Sequence, residues 1–170
     1  MLEILKYILP SLIVLLAAWL ILSRMLKEER ERRQFELRRR DREVTIPIRL
    51  RGYERLTLLL ERITPEHILL NADLVNLSAT ELQQQMLQTV RLEFDHNVSQ
   101  QVYVSDQVWA AVVIAKEEVL RFISTCRQQL PQDATALQYA NLMIEAYTLN
   151  GETPNQAALK MLKEEARNLY

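Results

Sequence analysis

The chain has 170 residues, 49% of them hydrophobic and 25% charged, with a formal net charge of −1. The charge is segregated: residues 24–43 carry nine Lys or Arg against six Asp or Glu, whereas residues 44–170 carry eleven against fifteen. Nucleic-acid binding rests on phosphate neutralisation, so an acidic domain argues against DNA or RNA as partner. The single cysteine, Cys126, allows no intramolecular disulfide and suits a reducing compartment.

From Tyr7 to Ser23 no side chain is charged, and most are Leu, Ile, Val, Ala or Trp. A hydrocarbon core of about 30 Å needs close to this length of helix, and the flanking Lys6 and Arg24 can extend it by snorkelling. The run ends in Leu20-Ile21-Leu22-Ser23 without a small-x-small cleavage site, which favours a retained anchor over a signal peptide. Lys6 alone precedes the run, while Arg24, Lys27, Arg30, Arg32, Arg33, Arg38, Arg39, Arg40 and Arg42 follow it. The positive-inside rule then places the N-terminus outside and the C-terminal domain in the cytoplasm.

Residues 25–43 hold neither Pro nor Gly and pair Glu28 with Arg32, Glu29 with Arg33 and Glu36 with Arg40 at a spacing of four, which predicts an exposed helical stem. At 1.5 Å per residue it would reach about 28 Å. Its apolar Phe35 and Leu37 make no heptad seam. Thr45-Ile46-Pro47 should break this rod, because proline disfavours a helical residue before it and suits a first turn.

A helix over about 47–62 follows, with Leu56, Leu59, Leu60 and Ile63 on one stripe; Gly52 on that face marks close packing. Thr64-Pro65 opens a short helix or turn to Leu70, and residues 71–77 read as irregular. Ser78 and Glu81 form a capping box for a helix ending near Asn97, with Leu82, Met86, Leu87, Val90 and Phe94 inward. Residues 99–104 read as an extended connector. Ser105 and Asp106 then cap a long amphipathic helix from Val108 to Cys126, stopped at Leu130-Pro131. Asp133 opens a helix with Leu137, Ala140, Ile144 and Tyr147 inward, ended by Asn150-Gly151. Thr153, Pro154 and Gln156 start the last helix, with Ala158, Leu162, Ala166 and Leu169 inward.

Three stretches carry a resemblance: Thr45 to Leu50 with Tyr53 to Leu56 and Leu60 to Ile63; Glu93-Phe94-Asp95-His96-Asn97-Val98-Ser99-Gln100-Gln101-Val102-Tyr103-Val104-Ser105; and Trp109 followed by Ala115-Lys116-Glu117. Together they resemble an uncharacterised family of single-pass membrane proteins of Bacteroidetes-type bacteria. The resemblance implies an inner-membrane location and transfers no activity.

The densest polar cluster is Glu93, Asp95, His96, Asn97 and Ser99. Glu93 and His96 share the Glu-x-x-His spacing of carboxylate-bridged di-iron bundles, which need a second such pair; the other histidine, His67, has Thr64 three residues before it. Asp95, His96 and Ser99 hold the residue types of a hydrolase triad, with no Gly-rich oxyanion turn beside them. No catalytic, cofactor or metal residue is therefore assigned. Glu93, Asp95, His96, Asn97, Gln100 and Gln101 form instead a candidate partner surface, or else satisfy backbone groups at a helix end. Arg24, Lys27, Arg30, Arg49 and Arg51 are candidate contacts for anionic headgroups.

The sequence thus predicts an all-α protein: a transmembrane anchor over 1–24, a charged stem over 25–45, and a cytoplasmic bundle of about five helices over 46–170. The expected function is a non-enzymatic, membrane-tethered scaffold, adaptor or accessory subunit that binds a protein partner or itself. The alternatives are a membrane-bound enzyme using the Glu93–Ser99 cluster, and lipid-surface binding by the stem.

Overall fold

The computed structural model describes residues 2–149 and 153–169; the side chains of residues 2–14, 17, 18, 31, 34, 37, 38, 40–42 and 149 lie outside the described set. Among the described residues every element is helical: α1 (Leu2–Arg62), α2 (Pro65–Leu70), α3 (Ala79–Asn97), a 3-10 turn (Val98–Tyr103), α4 (Asp106–Gln128), α5 (Ala136–Leu149) and α6 (Pro154–Arg167). The chain divides into two compact units, residues 1–45 and 46–170.

In the first unit Arg33 Nε meets Glu29 Oε1 at 2.9 Å, as the spacing predicts. Arg32 turns forward to Glu36 at 3.1 Å instead of back to Glu28, and Arg39 reaches Glu43 at 3.0 Å. These are exposed pairs, each worth a few tenths of a kcal/mol. Arg40 lies outside the described side chains. Among the described residues no helix is long and apolar enough to cross a membrane. The anchor expected over 1–24 falls largely outside them, since the side chains of residues 7–14 are not described.

Pro47 does not end the helix, contrary to the break expected at Thr45-Ile46-Pro47; helical backbone runs from Leu2 to Arg62. A proline in a helix interior costs about 3 kcal/mol, chiefly by removing one N–H and freeing the carbonyl four residues back. Here that carbonyl belongs to Glu43, and Glu43, Val44 and Pro47 are all exposed, so water can take it. Beyond the proline, Leu56, Leu59, Leu60 and Ile63 are at most 1% exposed. Burial of about 1.5–3 kcal/mol per large apolar side chain outweighs the loss.

The core of the second unit collects these residues with Leu82, Met86 and Val90 of α3, Val112, Ala115 and Ile123 of α4, Tyr139 and Met143 of α5, and Leu162 of α6. Capping follows the sequence at four helices: Thr64 accepts from His67 N, Ser105 accepts from Val108 N, Ser78 and Glu81 form a reciprocal box, and Thr153 and Gln156 form another. Helix α5 departs from expectation. Its cap is Thr135, whose Oγ1 accepts from Gln138 N at 3.3 Å while Thr135 N donates to Gln138 Oε1 at 3.0 Å. Ala136, Tyr139, Ala140 and Met143 face inward, whereas the expected Leu137 and Ile144 are 53% and 46% exposed. A helix apolar on most sides leaves its phase undetermined by periodicity. The phase is set by a long-range pairing: Ala79 N donates to Ala134 O at 3.1 Å and Ala136 N to Leu77 O at 3.3 Å, joining the starts of α3 and α5. Ala79 and Ala136 are fully buried there, and only small side chains permit that approach.

The segment expected as an extended connector is instead the 3-10 turn Val98–Tyr103. With no strand to pair with, its backbone closes local hydrogen bonds, and the turn delivers Tyr103 onto α1. A Cβ built on Gly52 would lie 2.9 Å from Tyr103 Cβ and 3.1 Å from its Cδ2. Gly52 therefore marks close packing. The variant Gly52→Ala gains about 1 kcal/mol of helix propensity but must displace an atom fixed to the backbone, an overpacking cost of about 1–3 kcal/mol. A net loss of about 1 kcal/mol is expected in denaturant unfolding; a more stable variant would refute the contact.

Candidate functional site

Helices α1 and α3 flank a groove made of two cavities. One, of about 340 Å³, is lined by Arg62, His67, Ile68, Gln85, Met86 and Glu93 among others. The second, of about 270 Å³, is lined by Arg55, Leu58, Leu59, Arg62, Glu93, His96 and Asn97. Arg62 and Glu93 belong to both and meet across the middle, Arg62 Nη1 lying 3.7 Å from Glu93 Oε1. Gln85, Thr89, Glu93 and His96 recur every three or four residues on α3, and Arg55, Leu58 and Arg62 do so on α1, which is why each set lines one wall. Leu58 remains 52% exposed.

The candidate partner residues divide between this groove and the interior. Glu93 is half-buried at the centre of the groove, and Asp95, His96 and Gln101 are exposed. Asn97 is 9% exposed, and its Nδ2 donates to Glu93 O at 2.8 Å, so it closes the end of α3 and reaches only the groove wall. Gln100 is 8% exposed and donates to Ser99 Oγ at 3.2 Å. Burial removes Gln100 from the expected partner surface. Among the described residues no group of three or more His, Cys, Asp or Glu converges as metal ligands would.

The second polar constellation escaped sequence reasoning. Tyr53 Oη donates to Glu165 Oε1 at 2.7 Å and accepts from Arg49 Nη2 at 2.9 Å, while Arg49 Nε donates to Tyr103 O at 3.0 Å. Ser105 N donates to Glu165 Oε1 at 3.0 Å, and Ser105 Oγ donates to Glu165 Oε2. Arg49 completes the set at 3.5 Å from Glu165. This clamp ties α1, the 3-10 turn, the start of α4 and the last turn of α6. A carboxylate near a helix C-terminus is unfavourably placed on its own helix; here the N-terminus of α4 compensates. Burial works against the charge of Glu165, yet hydrogen bonds from Ser105 and Tyr53 outweigh it and hold the carboxyl below its usual range. Burial, then the hydrogen bond to Glu165, pushes the Tyr53 hydroxyl up to about 12. Arg49 is thereby committed inside the domain, whereas Arg51 is exposed.

Other reactive side chains are also engaged. Lys116 lies over the Phe94 ring at 4.4 Å, and Phe94 stacks on Trp109 with centroids 5.5 Å apart, locking α3 to α4. Arg127 donates to the carbonyls of Leu130, Pro131 and Gln132 and to Thr80 Oγ1, pinning the α4–α5 loop. Burial pushes the Cys126 thiol up, which keeps it protonated and unreactive.

One family model matches residues 1–169, nearly the whole chain. The protein belongs to DUF7935, a family of unknown function. No curated protein and no solved structure matches the chain. The DUF7935 chain thus carries two polar constellations: a clamp whose groups are satisfied by one another, and a groove whose Arg55 and Leu58 face solvent.

Proposed function

We propose that this protein is a non-enzymatic, membrane-tethered adaptor whose helical domain binds a protein partner through the α1–α3 groove. The observation that carries the reading is the groove: two adjoining cavities with an exposed leucine between exposed arginines and a loosely held ion pair. Side chains so arranged offer area and charge to a partner, and the domain's tighter polar groups are spent on holding helices together.

Tethering is supported by the uncharged run Tyr7–Ser23 and by the exposure of Leu15, Leu16, Trp19, Leu20, Ile21 and Leu22 within it. A helix apolar on all sides belongs in a core or in lipid. By the positive-inside rule, the basic residues after the run favour the cytoplasmic side of a bacterial inner membrane for the domain. Arg24, Lys27 and Arg30 are exposed and enter none of the described ion pairs, unlike Arg32, Arg33 and Arg39, which favours them as headgroup contacts.

A photo-crosslinking residue placed at Leu58 tests the adaptor reading in native membranes. A discrete heavier adduct is expected at that position and not at Leu137, which is equally exposed on α5. The same adducts from both positions, or none from Leu58, would sink it. Alkaline carbonate extraction tests the tether: recovery of the chain in the soluble fraction refutes it.

A further inference from the structure

We infer that the occupant of the α1–α3 groove is an acidic helical segment of another protein, carrying two carboxylates two turns apart with a large apolar side chain between them. This rests on the adaptor reading and narrows its partner class.

Length argues for a helix. The two cavities share Arg62 and Glu93, so they lie end to end along α3 from Gln85 to His96, with that ion pair between them. Eleven helical steps are about 16 Å, or three turns. A single small molecule would fill one cavity, whereas a helix lying in the groove occupies both.

Charge names the chemistry. The lining holds two guanidinium groups, Arg55 and Arg62, against one carboxylate, Glu93. That is the reverse of a domain with eleven basic and fifteen acidic residues. Arg55 is exposed and makes no ion pair among the described residues. The Arg62–Glu93 contact, at 3.7 Å, is long enough to yield to an incoming carboxylate.

Spacing sets the ligand pattern. Arg55 and Arg62 are seven residues apart on α1, about 10.5 Å, with Leu58 between them on the same wall. A complementary helix presents Glu-x-x-Leu-x-x-x-Glu, its leucine over Leu58 and its carboxylates toward the two guanidinium groups. Glu93 disfavours any such ligand until it is displaced.

The test is fluorescence anisotropy of a labelled, alanine-based helical peptide carrying Glu-x-x-Leu-x-x-x-Glu, added to the full chain in mild detergent. Binding is expected for this peptide and not for its copy with Lys in place of Glu, and should weaken as salt is raised. Arg55→Glu, at an exposed position, should weaken it about fivefold or more, and Glu93→Gln should tighten it about two- to threefold, as expected for gaining or losing an exposed charge contact. A damaged fold would not tighten binding, so the opposite signs separate recognition from stability. Absence of binding, equal binding of the Lys peptide, or an Arg55→Glu variant indistinguishable from wild type would each overturn the inference. A Leu58 adduct in membranes without peptide binding would leave the adaptor standing and remove the acidic helix. Peptide binding without an adduct would do the reverse.

Discussion

Replacing Glu165 by Ala is expected to destabilise the domain by about 2–3 kcal/mol, the range for losing hydrogen bonds to a charged group. The carboxylate accepts from Tyr53 Oη, Ser105 N and Ser105 Oγ and faces Arg49, so its removal strips partners from α1 and from the start of α4 at once. Tyr53 is 3% exposed and cannot turn its hydroxyl to water without disturbing the core. Double-mutant analysis with Tyr53→Phe should give much less than the sum of the two losses, because both remove the same bond. Additive losses would mean that the clamp is not one unit.

The pH dependence follows from the direction of each shift. Glu165 is held below its usual range in the folded chain, so its contribution is present above the unfolded carboxylate range and lost as pH falls through the folded pKa. Tyr53 is raised to about 12 from 10.0, so the folded state keeps its proton longer than the unfolded state does. Its contribution is complete below pH 10 and disappears as pH rises toward 12. Urea midpoints across the alkaline range should fall more steeply for wild type than for Tyr53→Phe. Parallel curves would refute the assignment.

The second large effect is expected at Asn155. This side chain is 2% exposed, and its Nδ2 donates to Leu60 O at 2.7 Å, closing the C-terminal turn of α1 from 95 residues away. Its Oδ1 is buried and has no hydrogen-bond partner among the described residues. In Asn155→Asp the donor becomes a carboxylate oxygen facing a carbonyl oxygen. The start of α6 favours an anion by about 0.3–1 kcal/mol, whereas burying a charge without a partner costs several kcal/mol. The second effect wins, and a loss of about 3 kcal/mol is expected at neutral pH. Once protonated, the introduced carboxyl can donate to Leu60 O, so it takes up its proton more readily in the folded than in the unfolded chain. Stability should then recover as pH falls toward the ordinary carboxylate range. A variant as stable as wild type at neutral pH, or one with no acid recovery, would show that Leu60 O does not need its donor.

These two sites lay beyond sequence reasoning for one physical reason. Arg49, Tyr53, Ser105 and Glu165 are individually ordinary surface-type or core-edge residues, and nothing local marks them as partners across separations of 54 to 112 residues. Asn155 beside the Thr153 cap looks like another first-turn polar residue until α1 is laid against it. Even the groove was half visible: Glu93 and His96 stand out in the sequence as a polar cluster, but nothing local marks Arg55, Leu58 and Arg62 as the opposite wall. Thr135 and Gln138 have the spacing of a capping box, but the phase of α5 depends on the pairing of its start with that of α3.

The all-α class, the caps at Thr64, Ser78, Ser105 and Thr153, the inward stripe Leu56–Ile63 and the close approach at Gly52 were determined by the sequence alone. The caps and the stripe depend on neighbours within a few residues, through capping geometry and helical periodicity, and Gly52 permits a close approach through the want of a Cβ. Passage of α1 through Pro47, the 3-10 turn, the facing of α5 and both polar constellations were decided only by tertiary structure. In each of these a local preference is weak or ambiguous, and burial or a partner distant in the chain supplies the larger free energy.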